Sequence, residues 1–485
     1  MTTVTLSLVS HTNAGKTTLA RTLLGLDVGE VRDAPHVTEF AAMHELIRTP
    51  AGDTLRLWDT PGFGDSARLV RRLRAQSNPL GWFLSSVWDR WRDRAFWASQ
   101  QALRQVQSDT DVLLYLVNAA EWPGTAGYVE PEMDLLAWVG KPVLVLLNQM
   151  GAPRAAADEA QDVELWRLHL VRWPGVRAVL PLDAFARCWV HELTLMRAVT
   201  AALADTLDGE RAAAMARLAD AWQAKREATF AAAMQTLAAS LARTAVAREP
   251  VPLDGGWAER LRRLGAALGQ SAATDADPAA AAQTRLAAAL EGEARASTAQ
   301  LLALHGLNGS ASSEIIHRVA HQFARHERVP EGRAAVLGGA LAGAITGLKA
   351  DVLSGGLTLG GGLLAGGLLG ALGAAGVARG INVVRGTGQS WVAWRDDALD
   401  GAAQAALLRY LAVAHFGRGR GDWSPGEAPP HWLPAVTQAL VVQRAAWTAA
   451  WASRSQRLDG VHDTARLTAT LQPLLTQAAR AVLAV

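Results

Sequence analysis

The chain has 485 residues, a formal net charge of +2 and a single cysteine, Cys188. A chain of this length is too long to fold around one hydrophobic core, because single cores stop growing near ~250 to 300 residues. We therefore expect two or three structural units. The near-neutral charge argues against a nucleic-acid partner, and the lone cysteine excludes an intramolecular disulfide and a cysteine-based metal cluster. A reducing, intracellular setting fits best.

The first part of the chain, from residue 1 to about 205, alternates short apolar runs with helical patterns. Its first ten residues lack the basic region and long apolar run of a secretory signal, which predicts a cytoplasmic protein. Five later runs have the length and composition of buried parallel strands. They are Val4–Val9, Thr54–Trp58, Val112–Val117, Val143–Leu147 and Ala178–Leu182. The alternation predicts a doubly wound, mostly parallel α/β sheet.

A loop with the features of a phosphate-binding loop follows the first predicted strand. Residues 10–18 read Ser-His-Thr-Asn-Ala-Gly-Lys-Thr-Thr, which fits G-x-x-x-x-G-K-[ST] except for Ser10, a residue small enough for the first glycine position. Backbone N–H groups of such a loop bind phosphates at a helix N-terminus. We expect Lys16 to reach the β and γ phosphates and Thr17 to bind Mg²⁺. The residues expected to bind the nucleotide here are Asn13, Ala14, Gly15, Lys16, Thr17 and Thr18.

A second motif ends the strand predicted at Thr54–Trp58. Residues 59–65 read Asp-Thr-Pro-Gly-Phe-Gly-Asp. Asp59 would hold Mg²⁺ through water, and the N–H of Gly62 would contact a γ-phosphate, so the following loop would respond to hydrolysis. A simple Pro-Gly turn explains Pro61 and Gly62, but it does not explain an aspartate paired with the phosphate-loop Lys16. We therefore assign Lys16 and Gly62 to the catalytic group.

These two motifs resemble the first and third signature motifs of translation-factor-class P-loop GTPases, and the loop is similar to that of the Era/TrmE group. The seven-residue motif also occurs in septin-like and related proteins. The resemblance covers roughly residues 1–190, and the full length resembles a bacterial GTPase joined to a C-terminal domain of unknown function. It implies a G-domain fold, GTP and Mg²⁺ as ligands, and hydrolase activity.

Three site assignments come from this resemblance alone. Thr38 matches the switch threonine that closes over Mg²⁺ and the γ-phosphate, which makes it a metal-binding and catalytic residue. Asn13 stands where Era/TrmE relatives help to bind a potassium ion, so K⁺ is a further cofactor to test. Phe63 stands where other GTPases carry a water-positioning glutamine. Because a phenyl ring cannot orient water, we expect slow hydrolysis unless an activator or a homodimer through the G domain supplies that function.

The base-specificity motif departs from the family pattern. Residues 148–151 read Asn-Gln-Met-Gly where the family has Asn-Lys-x-Asp. Asn148 is retained, but Gly151 replaces the aspartate that pairs with guanine, so guanine discrimination should be weakened. Asp183, which follows the last predicted strand, is the suggested substitute for that carboxylate. The sequence therefore does not decide between GTP and other nucleotides as the ligand.

A tryptophan-rich insertion, residues 66–108, lies between the second motif and the strand at Val112. Five of its apolar residues repeat at helical spacing between arginines: Leu84, Val87, Trp88, Trp91 and Ala95. One interpretation is a cover helix docked on the protein's own helical domain. The other is a helix at a membrane interface, where tryptophan and arginine are suitable residues.

The rest of the chain predicts an all-α C-terminal region with a glycine-rich apolar helical hairpin. We divide it into a helical stalk or bundle at 206–330, the hairpin at 331–385 and C-terminal helices at 386–485. Ala334–Leu348 and Val352–Ala378 carry no charge, and the second would span about 40 Å as a helix, enough to cross a bilayer. We expect a membrane-inserting hairpin, with a hairpin buried in the protein or a flexible apolar lid as alternatives.

Together these features predict a GTP-binding switch protein that hydrolyses GTP slowly. Its helical C-terminal region would associate with the cytoplasmic membrane, at the surface or within the bilayer. One alternative is a dynamin-like or septin-like membrane remodeller. Another is a nucleotide sensor that does not hydrolyse its ligand and that recruits a protein partner.

Overall fold

The structure is a computed structural model that describes residues 1–11, 14–25, 42–63, 66–74, 78, 81–82, 94–150, 156–182, 189–206, 208–251, 278–307, 377–381, 390–415, 431–454 and 461–483. These residues divide into two compact units. The first holds the residues up to Ala228 together with Ala414 and His415, and the second holds those from Thr229 to Val413 and from His431 onward.

The first unit alternates strands and helices along the chain. Its described elements are β1 (Thr3–Ser10), α1 (Lys16–Leu24), β2 (Ala42–Arg48), β3 (Thr54–Asp59), α2 (Ser66–Leu73), α3 (Arg94–Asp109), β4 (Val112–Asn118), α4 (Val129–Val139), β5 (Val143–Asn148), α5 (Ala156–Leu170), β6 (Val176–Pro181), α6 (Trp189–Ala204) and the beginning of α7 (Gly209–Val246).

The six strands form one sheet in the order β2-β3-β1-β4-β5-β6. Neighbours from β3 to β6 run parallel, whereas β2 is antiparallel to β3. Parallel neighbours need crossover connections, which the helices provide, so this is the doubly wound sheet of a P-loop G domain. All five strands predicted from the sequence are confirmed. The carboxyl ends of β1 and β3 lie side by side, because Leu8 pairs with Asp59.

Strand β2 is the one strand of this six-stranded sheet that the sequence did not predict. Its residues alternate between exposed and covered positions, as in an edge strand with one packed face. Such a strand contains no continuous apolar run, so its sequence does not resemble that of a buried strand. The central strands are continuous apolar runs because both of their faces are buried. In β4, Leu114 and Leu116 join the core on one face, and Leu113 and Val117 join the core on the other.

A break between two helices lies just before Gly209. Helix α6 ends at Ala204 and α7 begins at Gly209. The carboxylate of Asp208 accepts a hydrogen bond from the backbone N–H of Arg211 at 3.0 Å, which satisfies a donor in the first turn of α7. This cap explains why the new helix starts here.

The second unit is mainly helical, as predicted, and it also contains a small sheet. Its described elements after α7 are β7 (Arg248–Val251), α8 (Pro278–Leu304), β8 (Val377–Ile381), β9 (Ser390–Trp394), α9 (Asp396–Ala414), α10 (Trp432–Val442), α11 (Arg444–Ala452) and α12 (Val461–Leu483). The strands pair antiparallel in the order β7-β9-β8.

This sheet corrects two details of the helical assignment. Ser390–Trp394 is a strand and not the start of the C-terminal helices, and the end of Val352–Ala378 lies in strand β8. Pro250 follows the end of α7 at Val246 and lies in β7, an edge strand. An edge position suits proline, because a strand at the edge has backbone N–H groups that need no partner.

No helix within the described ranges is long and apolar enough to cross a membrane. Ala334–Leu348 and residues 352–376 of the second uncharged segment lie outside those ranges. The proposed interface helix of the tryptophan-rich insertion also falls largely outside them, because residues 83–93 are not described.

A buried carboxylate links α6 to α7 within the first unit. Glu192, only 4% exposed, accepts hydrogen bonds from Trp222 Nε1 at 2.8 Å and from Arg226 Nε at 2.7 Å. We expect Glu192→Ala to lower the free energy of unfolding by about 3 kcal/mol, because it leaves buried donors without an acceptor. Urea unfolding followed by circular dichroism measures this loss. Glu164→Ala removes only an exposed pair with Arg167, so it should change nothing measurable.

Candidate functional site

The loop between β1 and α1 requires a glycine at its last position. Gly15 has φ +91°, in the left-handed region that side chains rarely adopt. A Cβ atom added there would lie 2.5 Å from Asn148 Nδ2. That amide nitrogen donates to the carbonyl of Ala14 at 2.8 Å. The end of β5 therefore fixes the loop from one side and leaves no room for a larger residue.

Helix α1 begins directly after this glycine. Its first residues are Lys16, Thr17 and Thr18, and its first turn contains no acidic residue. The first N–H groups of a helix have no partner within the helix, and they carry the positive end of its dipole. The loop and the helix start together form a site that favours an anion.

Lys16 is buried at this site and is held by the residue that replaces the usual glycine. Its side chain is 7% exposed, and Nζ donates to Ser10 Oγ at 3.0 Å. The Ser10 hydroxyl in turn donates to the carbonyl of His11 at 2.5 Å. Burial lowers the pKa of Lys16, while the negative charges of Asp59 and Glu132 oppose that shift. The serine is thus accommodated, and its hydroxyl contributes a contact that glycine cannot make.

Asp59 brings a carboxylate to the same place from the end of β3. Thr17 Oγ1 donates to Asp59 Oδ2 at 2.6 Å. Asp59 is 3% exposed, and burial raises its pKa, which the hydrogen bond from Thr17 and the charges of Lys16, His44 and Arg21 counteract. Its other oxygen, Oδ1, is buried and has no hydrogen-bond partner among the described residues. A hydroxyl and a buried carboxylate oxygen in need of a partner are suitable ligands for Mg²⁺, so the residues fit this metal.

The segment after Asp59 is tied to the phosphate loop. Thr60 Oγ1 donates to the carbonyl of Leu8 at 2.6 Å, and the N–H of Phe63 donates to the carbonyl of Ser10 at 2.9 Å. Gly62 lies between these two anchors. The ring of Phe63 is fully buried in the hydrophobic core. Its side chain therefore packs in the interior and cannot position water at the site.

The base-specificity segment is only partly described. Asn148 is fully buried at the end of β5, where it contacts the phosphate loop. Gln149 follows with φ 58°, and it is the one residue other than glycine in the described ranges with a positive φ. Gly151 and the suggested substitute carboxylate, Asp183, lie outside the described residues.

The structure brings most of the residues assigned from the sequence to one edge of the sheet. They are Ala14, Gly15, Lys16, Thr17, Thr18, Asp59, Gly62 and Asn148. The remaining three residues of the assigned set lie outside the described residues: Asn13, Thr38 and Asp183.

A polar cluster next to the loop was missed. Glu132 Oε1 contacts His11 Nδ1 at 2.7 Å, and Oε2 accepts from Tyr115 OH at 2.9 Å. The ring of Tyr128 stacks on the His11 ring, with 4.6 Å between the centroids. A glutamate in the first turn of a helix is normally solvated, so the sequence carries no signal for a buried one. Only the fold brings these residues together.

A family described as 50S ribosome-binding GTPase matches residues 5–149 of the chain. This range contains the phosphate loop, Asp59 and Asn148. The first unit therefore has the fold of a P-loop G domain, and residues 5–149 are similar to this GTPase family. Among curated proteins, no significant match is found.

Solved structures with a similar fold include Era in complex with MgGDPNP and nucleotides of 16S ribosomal RNA. The two sequences are 18% identical, and the matched region covers 41% of this chain and 56% of that chain, with a TM-score of 0.31. A variant of Era from Aquifex aeolicus bound to GDP and AlF₄⁻ is 19% identical, with coverages of 41% and 56% and a TM-score of 0.31. Toc33 from Arabidopsis thaliana is 15% identical, with coverages of 39% and 73% and a TM-score of 0.25. The chain spans about half the length of the Era structures, and TM-scores this low carry no argument about function.

The close approach at Gly15 gives a test of the loop. We expect Gly15→Ala to weaken binding of a fluorescent GTP derivative by about tenfold or more, because the new methyl group displaces Asn148 and strains the backbone. Gly25→Ala is the matched control at the other end of α1. Gly25 has φ +69°, but no atom lies within 4 Å of its added Cβ, so the control strains the backbone without touching the loop. Equal affinities in the two variants would contradict this account of the loop.

Proposed function

We propose that this protein is a GTP-binding switch that hydrolyses GTP slowly and uses Mg²⁺. The observation that carries the proposal is the convergence of Lys16, Thr17 and Asp59 at the start of α1. A buried ammonium, a hydroxyl and a carboxylate at a helix N-terminus are the groups needed to hold a metal-bound triphosphate. The match of residues 5–149 to a GTPase family supports the same ligand.

Each residue has a defined role in this proposal. Lys16 exchanges the Ser10 hydroxyl for phosphate oxygens, and Thr17 and Asp59 hold Mg²⁺, which neutralises the phosphate charge when it is bound. The N–H of Gly62 contacts the γ-phosphate. Thr38 completes the metal site, and Asn13 provides a K⁺ site of the Era/TrmE type.

Slow turnover follows from the position of Phe63. Its ring is buried in the core and does not replace the water-positioning glutamine of other GTPases. We also propose homodimerisation through the G domain, because a second copy of the protein could supply the water-positioning group that Phe63 does not provide. The same observation favours the second candidate function, a nucleotide sensor without turnover that recruits a protein partner.

Location and membrane association rest on sequence alone. We propose a cytoplasmic protein that associates with the cytoplasmic membrane through the uncharged segments Ala334–Leu348 and Val352–Ala378. Their glycine content disfavours a helix in water, since each interior glycine costs about 1 kcal/mol. Liposome flotation with and without GTP tests this. Nucleotide-dependent oligomers on the liposomes would favour the dynamin-like or septin-like remodeller instead.

Competition between nucleotides tests the proposed ligand. We expect wild type to bind GTP and Lys16→Ala to lose at least about tenfold in affinity, because a buried charge-assisted contact to the phosphates is removed. The matched control is Lys141→Ala, which changes a lysine two residues before β5, at the amino ends of the strands and away from the site. This control should bind as wild type does.

The same titrations with ATP and XTP measure base selectivity. Because Gly151 replaces the guanine-binding aspartate, we expect GTP to be preferred over XTP less strongly than in GTPases that retain the carboxylate. Unchanged GTP affinity in Lys16→Ala would refute the phosphate-loop assignment, whatever the base preference.

The buried position of Phe63 predicts that restoring a glutamine at this position does not restore fast GTP hydrolysis. We expect Phe63→Gln not to accelerate GTP hydrolysis, because the new amide would lie in the core and not beside the γ-phosphate. It should lower the melting temperature, since an unpaired buried amide is costly. Phosphate release and thermal unfolding measure the two effects. A stable variant with faster phosphate release would show that residue 63 does reach the site.

A further inference from the structure

Glu132 carries a fully buried carboxylate next to the phosphate loop, and both of its oxygens are used. Oε1 contacts His11 Nδ1 at 2.7 Å, and Oε2 accepts from Tyr115 OH at 2.9 Å. The glutamate side chain is 0% exposed. Burial raises its pKa, while His11, Tyr115 and Lys16 oppose that shift. A buried charge with two dedicated partners is costly to assemble, which points to a defined role.

The imidazole of His11 is held in one orientation by this carboxylate. Its ring stacks on Tyr128 at 4.6 Å with 21° between the planes, and the Tyr128 hydroxyl accepts from the N–H of Asn118 at 3.3 Å. The other ring nitrogen, Nε2, forms no hydrogen bond to a described residue. Contacts from α4 and β4 thus fix the second residue of the phosphate loop.

The backbone of His11 connects this anchor to both halves of the site. Its carbonyl accepts from the Ser10 hydroxyl, the same group that holds Lys16. Its backbone also forms a parallel bridge with Phe63, the residue directly after Gly62. A displacement of His11 would therefore move the start of the loop that contacts the γ-phosphate.

We propose that His11 and Glu132 are positioning residues that hold the Gly62 segment against the phosphate loop. This inference rests on the proposed function, because it assigns a purpose to the bond between His11 and Glu132 in nucleotide recognition. Apart from Lys16, the groups that would hold the β-phosphate are the first N–H groups of α1 and the loop fixed by the bond from Asn148 to Ala14, and these do not involve the pair. The His11–Glu132 pair should therefore matter for a triphosphate and much less for a diphosphate.

Substitutions at His11 separate this role from a general effect on folding. In His11→Asn, the amide nitrogen can replace Nδ1 as the donor to Glu132, whereas His11→Ala has no donor. We expect His11→Ala to bind GDP within about twofold of wild type, to bind a non-hydrolysable GTP analogue about tenfold more weakly, and to lose about tenfold in kcat. His11→Asn should recover most of both losses.

Variants on helix α4 provide a second measurement and a matched control. Glu132→Gln keeps an acceptor for His11 and should resemble His11→Asn. Glu130→Gln removes a charge from the same helix turn, where Glu130 pairs with Arg172 at the surface, and it should match wild type. Circular dichroism establishes that each variant is folded. His11 is 35% exposed, so its variants decide the question if Glu132→Gln fails to fold.

Three results would overturn the proposal. His11→Ala with wild-type affinities and kcat would show that the pair does not position the switch segment. Equal losses for GDP and the GTP analogue would show that the pair only stabilises the loop. Failure of His11→Asn to recover activity would refute the hydrogen bond to Glu132 as the cause. A wild-type protein that binds neither nucleotide would instead refute the proposed function, and this inference would fall with it.

Discussion

The site depends on the placement of two buried charged groups, a carboxylate at the end of β3 and an ammonium at the start of α1. Asp59 and Lys16 are each almost completely removed from water. Burial raises the pKa of Asp59 and lowers the pKa of Lys16, and both shifts favour the neutral form. Each lies in the favourable field of the other, and Thr17 and Ser10 provide their hydrogen bonds. Because one carboxylate oxygen has no partner in the described part of the chain, the arrangement suits the binding of a cation together with an anion.

The pairing of the strands creates this placement. Strands β1 and β3 are hydrogen-bonded neighbours, so the phosphate loop and the Asp59 segment leave the sheet side by side. Asn148 then ties β5 to the loop, and Glu132 ties α4 to it. Three separate parts of the chain thereby fix one short loop. Such preorganisation limits the reorganisation needed when a nucleotide binds.

Local patterns in the sequence were enough to predict much of this architecture. Strands buried on both faces are continuous apolar runs, and the chemistry of the loop is confined to a few neighbouring residues, including Lys16. Strands β2, β7 and β8 escaped prediction because their residues are only partly apolar. Strand β9 is apolar but only five residues long, and its pairing is decided by distant partners. The contact between His11 and Glu132 joins positions 121 residues apart, so no local pattern could indicate it. The roles of Asn13, Thr38 and Asp183 stay predictions.

A crystal structure of the protein with Mg²⁺ and a non-hydrolysable GTP analogue tests the central claim most directly. Our account predicts the metal bonded to the Thr17 hydroxyl, with Asp59 beside it. It also predicts that Lys16 Nζ has left Ser10 for the phosphate oxygens. A triphosphate bound elsewhere, with Lys16 still on Ser10 and no metal near Thr17, would contradict the account.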